Sequence, residues 1–178
     1  ILQSPAFLTG LCAFAAGIGF YALRRLASPA GSTTASRTGR LAALGLILSL
    51  LVFAVAAWRL PHPINSTAAF ELLFWGGGHL LQFVYLLLLL SSWQTLQADA
   101  RQPVSEQLIT AITLLLFAIG LGLALVPEPD SATYRDGFTQ LMRYGAPLLA
   151  LPAIVLLWSR QGDLAVRLSQ ILLLTGLL

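Results

Sequence analysis

The chain has 178 residues, of which 57% are hydrophobic and only 10% charged, with a mean hydropathy of +0.82. That composition excludes an ordinary soluble domain, and the apolar residues fall in runs of about twenty, the length a helix needs to cross a bilayer. The weak alternation of a membrane β-barrel is missing, and the basic residues behind the net charge of +3 are all Arg, mostly at the ends of apolar runs, which reads as membrane topology rather than nucleic-acid binding.

The expected fold is therefore all-α: one polytopic transmembrane bundle over residues 1–178, with about six spans. The first, about 5–26, is rich in Gly, Ala and Phe, contains the single Cys12 and closes on Arg24-Arg25. Its Gly10, Gly17 and Gly19 allow close helix approach. Residues 28–40 form a Ser/Thr/Gly-rich connection carrying Arg37 and Arg40, expected to be the most flexible in the chain. The second span, about 41–60, holds no charge until Arg59, and Pro61-His62-Pro63-Ile64-Asn65 makes a rigid turn after it. The third, about 67–93, has Asn65, Ser66 or Thr67 as a cap and Trp93 as an interfacial anchor.

A polar loop, 94–106, contains Asp99, Arg101, Pro103 and the candidate cap Ser105. The fourth span, about 104–126, is featureless Leu, Ile and Ala and stops at Pro127-Glu128-Pro129. The fifth, about 136–158, follows a polar stretch from Asp130 to Asp136 and should be kinked by Pro147 and Pro152. A last segment, 163–178, runs to the end of the sequence. The start at Ile1 and the end at Leu178 within an apolar run make a fragment of a longer protein the expectation. Arg24, Arg25, Arg37, Arg40, Arg101, Arg160 and Arg167 lie in odd-numbered loops, so positive-inside places those loops in the cytoplasm and the chain start outside. A bacterial cytoplasmic membrane is the expected location.

Polar chemistry concentrates in the third span, between Phe70 and Tyr85. At 100° per residue Glu71, Trp75, Gly78, Gln82 and Tyr85 share one stripe, with His79 on its flank; such a stripe is expected to face the bundle interior. Imidazole is a common ligand of haem iron and copper. Gly76-Gly77-Gly78 costs roughly 2–3 kcal/mol of helix propensity relative to alanine, so something bulky, a porphyrin plane or a neighbouring helix, is expected against that face. The same residues also read as a packing seam with a hydrogen-bonded histidine. In the fifth span Gln140, Arg143, Tyr144 and Pro147 share a face, and Arg143 needs an anion: Glu71 or a haem propionate, unless it snorkels to the headgroups.

Phe74-Trp75, two residues, then Gly78-His79 resembles the sixth transmembrane helix of subunit I of the haem–copper oxidases, where a Phe-Trp-x-x-Gly-His stretch presents a histidine to the active-site copper. The match covers about ten residues. That helix runs from outside to inside, as the Arg count predicts here, which makes the present spans similar to helices four to nine of the family's twelve. Where most members continue Pro-Glu-Val-Tyr, this chain has Leu80-Leu81-Gln82-Phe83, and its fourth span lacks the adjacent His-His pair that completes the family's copper site. The resemblance thus implies haem but not the three-His copper centre. It implies Trp75, Gly76, Gly77, Gly78, His79, Gln82 and Arg143 as cofactor contacts, with His79 toward the metal and Glu71, Tyr85, Gln140 and Tyr144 as accompanying polar groups; no catalytic residue is assigned.

The expected function is a haem-binding membrane oxidoreductase subunit that takes electrons from cytochrome c or quinol and passes them to a small acceptor such as oxygen or nitric oxide, in contact with other membrane subunits. The alternatives are a non-catalytic oxidase-like scaffold or assembly subunit, which the missing His-His pair favours, and a small-solute channel or transporter with a Glu/His/Gln-lined path.

Overall fold

A computed structural model describes the backbone of residues 4–28, 37–60, 67–96 and 103–158, and side chains within 4–28, 37–60, 67–92 and 107–151. These residues form five α-helices: α1 Pro5–Ala27, α2 Arg37–Arg59, α3 Thr67–Leu96, α4 Pro103–Leu125 and α5 Ala132–Trp158. Four helical segments are long and apolar enough to cross a membrane: Pro5–Ala27, Arg37–Arg59, Thr67–Ser92 and Gln107–Leu125. Among the described residues the chain is an integral membrane helix bundle with four such spans and α5 packed alongside them. The expected segment 163–178, the turn 61–65 with His62, the caps Asn65 and Ser66, Arg101, and the Trp93 and Ser105 side chains lie outside the described residues.

Two boundaries move. Helix α2 starts at Arg37, four residues before the expected 41, so Arg37 and Arg40 belong to its first turn and not to a loop. Arg40 reaches back across the connection and its Nη2 donates to the Ser28 carbonyl at the end of α1. Helix α5 starts at Ala132 rather than 136 because Ser131 caps it, its Oγ accepting from the Tyr134 backbone N–H at 3.1 Å. Ser4 does the same for α1, accepting from Phe7 N at 3.2 Å, with Pro5 at the first helical position where its missing N–H costs nothing.

Helix α2 is the hub, packed against α1, α3 and α4, while α5 lies against α3 and α4. Helix α1 touches the rest through α2, leaving Phe14, Phe20 and Tyr21 exposed, as lipid-facing residues would be. The core is a seam of large apolar side chains including Leu80, Phe83, Leu116, Phe117, Phe138 and Leu141. Small residues set its width: a Cβ on Gly45 would sit 2.5 Å from the Phe117 ring, and one on Gly120 2.6 Å from Leu80 Cδ2.

Arg59 fastens one end of the bundle. Its Nη1 donates to the carbonyls of Ala124 and Leu125 at 3.0 and 3.1 Å, and its Nη2 pairs with Glu128 at 3.0 Å. A cation is thus placed on the carbonyl end of α4, where the helix leaves acceptors without intrahelical partners. The exposed Trp58 beside it suits an interfacial anchor and marks this end as a membrane surface.

Candidate functional site: the outward faces of α3 and α5

Helices α3 and α5 run in the same direction. Trp75 Nε1 donates to the Arg135 carbonyl at 3.3 Å, the His79 and Phe138 rings lie 6.0 Å apart, and Phe83 meets Gly145. Successive contacts therefore climb both helices together.

The three glycines divide between two environments. A Cβ on Gly76 would lie 2.2 Å from Tyr134 Oη and 2.9 Å from Phe138 Cε2; one on Gly77 would lie 2.3 Å from Phe53 Cε1. Rings from α5 and α2 fill the notch, so the bulky group expected against Gly76 and Gly77 is a neighbouring helix on each side, and no space for a macrocycle remains there. Gly78 is different: nothing lies within 4 Å of its added Cβ.

The polar stripe points the other way from the expected one. Glu71, Gln82 and Tyr85 are exposed, while Gly76, Leu80, Phe83, Val84 and Leu87 form the buried face. The expectation of an inward-facing stripe is overturned because the opposite face of α3 carries the residues that fit between α2, α4 and α5. Trp75 and His79, half-buried, sit on the shoulder toward α5.

His79 is held by its own helix. Its Nδ1 lies 2.6 Å from the Trp75 carbonyl, and its ring stands against Trp75 at 5.1 Å between centroids. A carbonyl oxygen only accepts, so Nδ1 is the donor in this contact and Nε2 is the ring nitrogen not engaged by it. A backbone carbonyl on one ring nitrogen in this way fixes the orientation of an imidazole whose other nitrogen can act as a ligand. Among the described residues no three His, Cys, Asp or Glu side chains gather into a metal-binding group. Among the described residues the notch at Gly76 and Gly77 has no room for a flat group, and the side of α3 left open is the one beside Gly78, with His79 next to it.

On α5, Gln140, Arg143, Tyr144 and Pro147 are all exposed, opposite the buried Phe138, Leu141 and Gly145. The depth of Arg143 follows from its neighbours. A Cβ on Gly145 would sit 2.8 Å from Leu116 Cδ2, and Leu116 is the midpoint of the span Gln107–Leu125. Arg143 lies two residues from Gly145, about 3 Å along the axis, so it is close to the bilayer midplane. A position there is about 15 Å from either edge of the hydrocarbon, beyond what snorkelling spans. Insertion scales put the cost of a central arginine near 2.5–3.5 kcal/mol.

Glu71 does not answer that charge. The register of α3 against α5 sets Arg143 beside Gln82 and Phe83, some three turns, or roughly 16 Å, beyond Glu71. Two features were missed by sequence reasoning. Tyr134 is buried with its Oη against Gly76 and without a hydrogen-bond partner, and Arg59 bridges three elements. The spacing of Tyr134 and Phe138, one helical turn apart, was the available signal for the first.

No protein-family model, curated protein or solved structure matches the chain at a significant level.

Proposed function

We propose that the chain is a membrane-embedded part of a haem-binding oxidoreductase, with the cofactor against the outward face of α3 and not within the five-helix bundle. The observation that carries this reading is the 2.6 Å contact of His79 Nδ1 with the Trp75 carbonyl, which leaves Nε2 as the nitrogen free to serve as an acceptor or ligand. Gly78 supports it by leaving the adjoining surface free of side-chain atoms. When bound, a haem supplies reversible one-electron transfer to a donor such as cytochrome c or quinol and an acceptor such as oxygen or nitric oxide. Trp75 holds the imidazole plane, and Gly78 admits a flat group on the face that also carries the exposed Gln82 and Tyr85.

The test is the reduced-minus-oxidised optical spectrum of the purified full-length protein, with metal analysis on the same sample. Soret and α bands with stoichiometric iron are expected, and His79→Ala should shift the Soret band or abolish ligand binding at the haem. A wild-type protein without haem or iron sinks this reading. What then stands is a non-catalytic membrane scaffold, a second reading favoured by the rings that fill the Gly76–Gly77 notch and by the lack of a metal-binding cluster among the described residues.

A further inference from the structure

We propose that the outward face of α5 is the docking surface for a transmembrane helix that carries an aspartate or glutamate at the height of Arg143. The inference is independent of the haem reading and rests on depth, charge and exposure. Arg143 stands level with Leu116, in the middle of the candidate span Gln107–Leu125, and its side chain is exposed from the described bundle. An arginine remains charged in any protein environment, so in hydrocarbon it requires an acceptor close by.

Among the described residues the neighbouring groups do not supply that acceptor as a counter-charge. Gln140 and Tyr144, on the same face, are neutral, and Gln82, at the same height on α3, is neutral and exposed as well. Asp136 is two turns away along α5, and Glu71 about three turns away on α3. Pro147 adds a second demand. It has no N–H, so it withholds from the Arg143 carbonyl the donor that residue i+4 would normally give. Within hydrocarbon, backbone acceptors freed by proline are met by neighbouring helices. One residue thus presents a forked cation and a weakened backbone acceptor on the same unpacked face.

A second copy of this chain fits the charge poorly. Two copies related by an axis along the membrane normal keep every residue at its own height, which leaves Arg143 of each copy about three turns from Glu71 of the other. A carboxylate on a different helix, at mid-depth, answers the site directly. Arg donates to such a group through two parallel N–H···O bonds, and the amides of Gln140 and Gln82 are exposed as well.

The experiment uses full-length protein in its native membrane with a photo-crosslinking amino acid at Tyr144, and the crosslinked peptides are sequenced. The expected product is an apolar segment with Asp or Glu within one turn of the crosslinked residue. Arg143→Gln should then reduce crosslinking at least tenfold and Arg143→Lys should retain most of it. Arg143→Glu should be rescued by replacing the identified acid with Lys or Arg. Crosslinks to lipid only, to a segment without an acid, or to a second copy of this chain would overturn the proposal, as would unchanged crosslinking in Arg143→Gln. The optical spectrum of the same membranes reports the haem separately, so loss of either idea leaves the other legible.

Discussion

Alanine at each of the three consecutive glycines separates what the helix backbone prefers from what the bundle requires. Alanine should favour the α3 backbone by about 1 kcal/mol at each position. At Gly76 the added methyl would sit 2.2 Å from Tyr134 Oη and 2.9 Å from Phe138 Cε2, and both rings are fully buried, so neither can swing away. Overpacking of that kind costs about 1–3 kcal/mol, which leaves a net loss of about 0–2 kcal/mol. Gly77→Ala should behave alike, since its methyl would enter the Phe53 ring. Gly78→Ala meets nothing within 4 Å and should keep most of the backbone gain. For a chain of this size, a separation of about 2 kcal/mol corresponds to roughly 4–8 °C in Tm. Thermal unfolding of the purified protein in detergent, followed by far-ultraviolet circular dichroism, gives the ranking. Adding Tyr134→Phe to Gly76→Ala removes the closest atom and should restore part of the loss, because the unpartnered hydroxyl contributes no hydrogen bond of its own. If Gly76→Ala unfolds at or above the temperature of Gly78→Ala, the assignment of inner and outer faces of α3 is wrong.

Two further outcomes follow from the same geometry. Arg59→Gln loses two carbonyl contacts and an ion pair and should cost about 2 kcal/mol, whereas Glu128→Gln should cost less than about 1 kcal/mol because that carboxylate is exposed to solvent and screened; chemical or thermal unfolding of the two variants checks the order, and equal losses would refute the capping role. In a Cys12→Ser background, Glu128→Cys should react with a membrane-impermeant maleimide added outside intact cells and Arg24→Cys only after permeabilisation; the opposite pattern would invert the topology.

The positions of the first four spans were legible because each apolar run is long and each is bounded by Arg, Pro or Ser, signals that act locally. Helix starts were less so. Arg37 and Arg40 look like loop residues in a Ser/Thr/Gly-rich stretch, yet α2 absorbs them because Arg40 finds an acceptor at Ser28, twelve residues earlier. On α3 the expected stripe divides, with Glu71, Gln82 and Tyr85 exposed and Trp75 on the shoulder toward α5. In water a polar stripe must be the outer one, and in a membrane the usual inference reverses, so Glu71, Gln82 and Tyr85 were expected inside. Which face turns inward was decided by Gly76 and Gly77, since they alone allow Tyr134, Phe138 and Phe53 to close on the backbone. Periodicity carries no information about ring placement on a neighbouring helix.

That reversal changes where chemistry can happen. A bundle whose described interior is Leu, Phe and Val, with half-buried His79 at its margin and Arg143 exposed at mid-depth, offers no enclosed site among the described residues. Its polar groups converge instead on the surfaces of α3 and α5, two parallel helices in direct contact. In hydrocarbon those groups are favourable only when something polar covers them, and the free energy that holds such a cover is the desolvation cost avoided at each group. Nε2 of His79 and the guanidinium of Arg143 make different demands, an electron-pair acceptor for the first and a carboxylate for the second. They sit about a turn apart in height, so one covering element of ordinary helical length, with a cofactor beside it, could meet both.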